Sequence, residues 1–147
     1  MSKILYGEPV AKNLDSQSKN IFQEYTTKHD TPPLLTAITV GDNPASLLYV
    51  SVKEKKAEKL GVNFNWIKLN ETTLESELED TISEHSKSSQ GMIIQLPLPE
   101  HLNTEKVIDL IPSGIDVDGL TTLNLGKLYS ENFNIIPATS LAILELL

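Results

Sequence analysis

Two side chains that could do chemistry stand one helical turn apart in the stretch VGDNPASLLYVSVKEKKAEKLG, Val40 to Gly61. On a helix, Tyr49 and Lys53 lie roughly 40° apart, so an aromatic plate and an ammonium project together. They border an apolar stripe of Ala45, Leu48, Val52 and Leu60, and a plain reading has Tyr49 packing while Lys53 extends along it to solvent. Lys56 falls between Tyr49 and the stripe and competes for any inward role. Spacing alone does not choose between the two lysines.

Further along, Gln95 ends the apolar run GMIIQL, where a side-chain amide needs partners and can bridge backbone groups or hold a lysine ammonium. Asp116 and Asp118 lie in IDVDGL, a turn-forming segment in which carboxylates commonly accept from their own backbone. The fragment lacks the later acidic ligands of a calcium loop. His29, His85 and His101 are scattered among polar residues, without the spacing of a zinc site or a triad, and no metal site is expected. Neither G-x-G-x-x-G nor a Walker loop occurs, so no cofactor-binding residue is expected within this chain.

These residues need elements to hold them. Gly7 and Pro9 open a first helix with a stripe of Val10, Leu14, Ile21 and Tyr25, ending near His29 before Pro32 and Pro33. Leu34 to Val40, LLTAITV, reads as a strand buried on both faces. Asn43 or Asp42 caps the next helix, Pro44 opens it and Gly61 stops it. Asn63 to Leu69 is a second strand. Thr72 and Glu75 have capping-box spacing for an exposed helix over 73–87, whose six acids between Glu71 and Glu84 form a solvated face. Gly91 to Leu96 is a third strand, closed by Pro97-Leu98-Pro99; a short helix spans about Asn103 to Leu110, and a loop runs from Pro112 to Gly119. The segment from there to Pro137 has no clear assignment. The last stretch, ATSLAILELL, is a helix capped by Thr139 or Ser140 that lacks a terminating signal and reads as cut short.

The alternation of strands and helices implies an α/β fold of three layers, a mostly parallel sheet flanked by helices, with right-handed crossovers. Ligands in such folds gather beyond the carboxyl ends of the strands, which puts the loop after Val40 and Gln95 on one rim. At 147 residues and 39% hydrophobic, the chain supports a single domain. It has no cysteine, which excludes disulfides and thiolate metal sites. The start MSKILYGEPV lacks a basic segment followed by an apolar run of signal-peptide length, no apolar stretch approaches membrane-spanning length, and a cytoplasmic location is expected. The net charge of −8 argues against nucleic acid as a partner.

Four segments, VGDNPASLLYVSVKEKKAEKLG, GMIIQLPLPEHLN, DVDGLTTLNLGKL and IIPATSLAILELL, in this order and spacing, resemble the catalytic domain of the bifunctional methylenetetrahydrofolate dehydrogenase/methenyltetrahydrofolate cyclohydrolase family. The resemblance covers nearly the whole chain, and QLPLP followed by DVDG, downstream of a Y-x-x-x-K helix, is a specific set. It implies that Lys53 is the catalytic lysine and Gln95 its partner. Tyr49 is implied to stack on the folate, Asp118 to recognise the pterin, and Leu96 and Pro97 to line the substrate site. Lys56 is then left on the helix flank. The family usually reads P-C-T-P-x-G where this chain has Pro137-Ala138-Thr139-Ser140-Leu141-Ala142.

The expected substrate is a tetrahydrofolate derivative, oxidised with NADP or NAD and then hydrolysed. The resemblance places the nicotinamide cofactor on a C-terminal Rossmann-type domain that these residues do not include, so 1–147 is expected to be a catalytic domain without dehydrogenase activity of its own, cut within the interdomain helix of a homodimeric parent. Two alternatives remain: a folate-binding or regulatory domain without turnover, and a structural module in which Tyr49 and Lys53 only pack.

Overall fold

Residues 4–147 are described by a computed structural model. Among the described residues, nine elements follow one another: α1 (Gly7–His29), β1 (Leu34–Val40), α2 (Pro44–Leu60), β2 (Asn63–Leu69), α3 (Glu75–Ser86), β3 (Gly91–Ile94), α4 (Thr104–Asp109), α5 (Thr122–Tyr129) and α6 (Ala138–Leu146). The three strands form one parallel sheet in the order β2-β1-β3. The chain steps from β1 outward to β2, then back across β1 to β3. Right-handed crossovers running in opposite directions put α2 and α3 on opposite faces, which gives the three layers expected from the sequence.

Alternation along the strands divides the core accordingly. Ile38, Val40, Met92 and Ile94 face α3 and α4, where they meet Leu78, Ile82, Val107 and Ile111. Ala37 and Ile93 face α2 and meet Val50, with Leu35, Phe64 and Trp66 closing the edge. The polar groups inside have partners: the Thr36 and Ser89 hydroxyls are 2.7 Å apart, and Trp66 donates its indole N–H to Thr39 Oγ1 at 3.1 Å.

Several local expectations are corrected. Third-strand pairing ends at Ile94, although the Gln95 N–H still donates to the Ile38 carbonyl at 2.9 Å. The α3 cap is displaced from the Thr72 and Glu75 pair: Glu77 reaches back to the Leu74 N–H at 3.0 Å, Thr72 bonds Asn70, and Glu75 turns to Lys106 and the Asn103 N–H. The final helix begins after Pro137 with no side-chain cap, so neither Thr139 nor Ser140 fills that role. On α1 the stripe is only partial: Ile21 is exposed, and its neighbour Phe22 is the residue turned toward Leu35 and Ala57. The stretch left unassigned contains α5, capped by Thr121 Oγ1 on the Asn124 N–H.

Candidate functional site

The site forms where α2 passes the carboxyl end of β3. Asn43 starts α2 by accepting from the N–H groups of Ala45 and Ser46 at 3.0 and 3.1 Å, and Pro44 supplies the preset first turn. The buried face of the helix is Ser46, Val50 and Ala57, with Lys53 and Leu60 half-buried along the same line. This corrects the stripe read from the sequence, since Leu48 and Val52 are 65% and 57% exposed. Apolar residues occupy both sides of the helix; one side packs on the sheet and the other is bare. Lys53 therefore sits on the inward face, and because helical side chains lean toward the N-terminus, its stem is directed to the strand ends.

There the Lys53 ammonium donates to Gln95 Oε1 at 3.4 Å and lies 3.6 Å from Asp118 Oδ2. Both side chains are about one-third open, 33% for Lys53 and 29% for Asp118, so the pair is accessible from the cleft. The stem of Lys53 borders an apolar cavity of about 310 Å³ walled by Phe22, Leu35, Ala57, Leu60 and Val117. Tyr49, one turn before Lys53 on the same helix, is 64% exposed.

Gln95 is fixed from its other end, donating Nε2–H to the Leu96 carbonyl at 2.9 Å. The same carbonyl accepts from the Ser46 hydroxyl at 3.2 Å, tying the start of α2 to the segment after β3. The Leu96–Pro97 peptide is cis. Pro97, Leu98 and Pro99 then form one wall of a recess whose other wall is Gly41, Asp42 and Asn43, so the loop after β1 and the segment after β3 do share a rim.

The two aspartates of IDVDGL do different things. Met92 donates to the Ile115 carbonyl at 2.7 Å, and Asp116 forms an isolated parallel bridge to Met92, so the segment runs alongside β3 and brings Asp118 level with its end. Asp116 is only 1% exposed and turns inward to its own loop, as that turn chemistry predicts. Burial pushes its carboxyl up, but hydrogen bonds from the Thr121 backbone, Asn124 and the Leu120 backbone outweigh this and hold it below the ordinary range. Asp118 faces Lys53 instead. Behind it, the Gly119 backbone has φ of +69° and lies so close to Ile135 and Pro137 that an added Cβ would come within 3.2 Å of each. The segment with altered family residues thus packs against the loop that carries Asp118.

Lys56 is resolved by its partner. It pairs with Asp15 of α1, so the lysine that competed with Lys53 on the helical wheel is engaged between helices. Ser46, Asp15 and Asn124 were not singled out from the sequence; each acts through a partner remote in the chain or buried by the fold. Among the described residues no helix is long and apolar enough to cross a membrane.

With this geometry in view, comparison with known proteins is decisive on family. The model of the family described as tetrahydrofolate dehydrogenase/cyclohydrolase, catalytic domain, matches residues 5–118. The chain belongs to the tetrahydrofolate dehydrogenase/cyclohydrolase family. It is 37% identical to the bifunctional protein FolD of Lactococcus lactis over 145 residues, covering 97% of this chain and 51% of that protein. Among solved structures, a 5,10-methylenetetrahydrofolate dehydrogenase from the silkworm, Bombyx mori, superposes with a TM-score of 0.92 at 31% identity, over 99% of this chain and 51% of the other. The Trypanosoma brucei methylenetetrahydrofolate dehydrogenase-cyclohydrolase, complexed with NADP and an inhibitor, gives 0.90 at 25% identity, over 99% and 50%. The chain spans about half the length of the family members it matches.

Proposed function

We infer that this chain is the folate-binding catalytic half of an enzyme that oxidises methylenetetrahydrofolate to methenyltetrahydrofolate and hydrolyses the product to formyltetrahydrofolate. The observation that carries this reading is the meeting of the Lys53 ammonium with Gln95 at 3.4 Å and Asp118 at 3.6 Å, one turn from the bared ring of Tyr49. Tyr49 offers a face on which a flat pterin or aminobenzoyl ring stacks. Asp118 offers two oxygens to the adjacent N–H donors of a pterin, and Leu96 and Pro97, which follow Gln95, complete the substrate-binding set.

Hydrolysis starts when water adds to the cationic methenyl carbon, forming a C–O bond as a proton leaves the oxygen. The bond from that carbon to one flanking nitrogen then breaks as the oxygen gives up its second proton and forms the C=O bond, the nitrogen takes up one proton, and the carbon stays on the other nitrogen as a formyl group. One water is consumed and one proton is released. Lys53 is the group positioned to carry protons between these atoms, and Gln95 keeps its amine aimed at them. In the oxidation, the part played by this chain is to hold the folate so that its methylene carbon is presented at a fixed place.

Hydride acceptance is the chemistry a nicotinamide cofactor would supply, and the NADP in the Trypanosoma brucei structure supports that cofactor class. The residues of this chain do not fit it: no glycine-rich phosphate loop occurs, and the net charge is −8. We therefore assign cofactor binding to residues outside 1–147, and no step above depends on it. A second reading, a folate-binding domain without turnover, is favoured by the packing of Pro137 on Gly119 beside the replaced residues Ala138, Ser140 and Ala142. Steady-state assays of methylene oxidation and methenyl hydrolysis on the full-length gene product separate the two: turnover of either establishes the enzyme, and tetrahydrofolate binding with neither establishes the second reading.

A further inference from the structure

The segment Asp116 to Thr121 holds two carboxylates two residues apart, and only one of them faces the cleft. Asp116 is buried, and a charge out of water requires a full set of donors. It has four. Its Oδ1 accepts from the N–H groups of Gly119 and Leu120 at 2.9 and 3.3 Å, and its Oδ2 accepts from the Thr121 N–H and from Asn124 Nδ2, each at 2.9 Å. Three consecutive backbone amides are thereby wrapped around one side chain. Asn124 extends the network by donating to the Ser113 carbonyl at 2.9 Å, and its own N–H is capped by Thr121 Oγ1 at 3.3 Å. The loop is closed from both ends, with Asp118 at its tip and the Asp118 carboxylate left for Lys53.

We propose that Asp116, held by Asn124, is a positioning residue whose carboxylate shapes the 116–121 loop so that Asp118 is presented to Lys53 and to the folate. This rests on the reading of Asp118 as the residue that receives the pterin. Asp116 touches no substrate; it acts through the backbone on either side of Asp118. An asparagine at 116 has the same shape but turns an NH₂ toward donors on one side, so the wrap opens on that side.

Tetrahydrofolate affinity is measured on the full-length gene product as wild type, Asp116→Asn, Asp118→Ala and the double variant, with melting curves showing that each is folded. Asp118→Ala is expected to weaken binding, Asp116→Asn to weaken it by about tenfold, and the same change in the Asp118→Ala background by under about twofold, because neighbours acting through one contact are not additive. Wild-type affinity in Asp118→Ala overturns the reading of Asp118, and this proposal with it. Weakened binding in Asp118→Ala with either wild-type affinity in Asp116→Asn, or an equal loss in both backgrounds, overturns the proposal alone. If Asp116→Asn does not fold, Asn124→Ala takes its place in the cycle; the same non-additive pattern supports the proposal, and additive or absent loss refutes it.

Discussion

Replacing Gly91 by Ala puts a methyl carbon 2.8 Å from Val117 Cγ1 and 3.1 Å from Leu35 Cδ1. Ordinary carbon contacts lie at about 3.5–4.0 Å, so Val117 must retreat by roughly 0.7–1.2 Å or the start of β3 must shift. Overpacking on this scale costs about 1–3 kcal/mol, while exchanging glycine for alanine at an unstrained strand position returns about 0.4–1 kcal/mol through the unfolded chain. The net change centres on a loss of about 1.3 kcal/mol, or roughly 3–5 °C in melting temperature for a domain of this size. Val117 adjoins Asp118, so the displacement also pulls that carboxylate away from its position 3.6 Å from Lys53. Thermal unfolding followed by circular dichroism, paired with tetrahydrofolate titration, should report lower stability and weaker binding together. Gly114→Ala is the control, since its added Cβ meets nothing within 4 Å. Wild-type stability and affinity in Gly91→Ala would refute the claim that β3 and the Asp118 loop are locked by this contact.

Lys56→Ala removes the pair with Asp15, whose side chains are 46% and 23% exposed; denaturant unfolding should register a loss of about 0.2–1 kcal/mol, and methenyl hydrolysis should be unchanged. Ser46→Ala deletes one of two donors to the Leu96 carbonyl and should cost about 0.5–1.5 kcal/mol in the same measurement. Three carboxylates are held below their ordinary values: Glu75 by hydrogen bonds from Lys106 and the Asn103 N–H, Asp109 by the Thr122 hydroxyl and N–H, and Asp116 by its loop despite burial. Each favours the folded state when ionised, so its contribution is complete above the unfolded carboxylate range near pH 4 and is lost as pH falls through the lowered folded value. Urea titrations at decreasing pH should show stability falling below about pH 4, with a shallower fall in Asp116→Asn.

The strands were legible because LLTAITV and GMII are apolar on both faces, as a parallel sheet covered on both sides requires. The orientation of α2 was not. Leu48 and Val52 are as apolar as anything on the helix, but the sheet receives Ser46, Val50 and Ala57, two of them small enough to permit close approach, and leaves Leu48 and Val52 bare. That rotation by itself turns Lys53 inward. Lys56 could not be told from Lys53 by periodicity, because its partner Asp15 is 41 residues away and becomes adjacent only when α1 packs along α2. Asp116 and Asp118 are the same residue type in the same turn; burial separates the one that builds the loop from the one that faces the cleft. The helix α5 escaped notice because it is short, contains Gly126, and is anchored by Thr121 and by Asn124 on Asp116, contacts that no local pattern displays.

In the proposed reaction, the lysine meeting Gln95 and Asp118, and not its neighbour one turn away, moves the proton in methenyl hydrolysis. The decisive measurement is the hydrolysis rate of Lys53→Met and of Lys56→Met in the full-length gene product, taken together with tetrahydrofolate affinity. Hydrolysis should be abolished in Lys53→Met while folate still binds, and Lys56→Met should hydrolyse at the wild-type rate. Wild-type hydrolysis in Lys53→Met, or its loss in Lys56→Met alone, would contradict this role for Lys53.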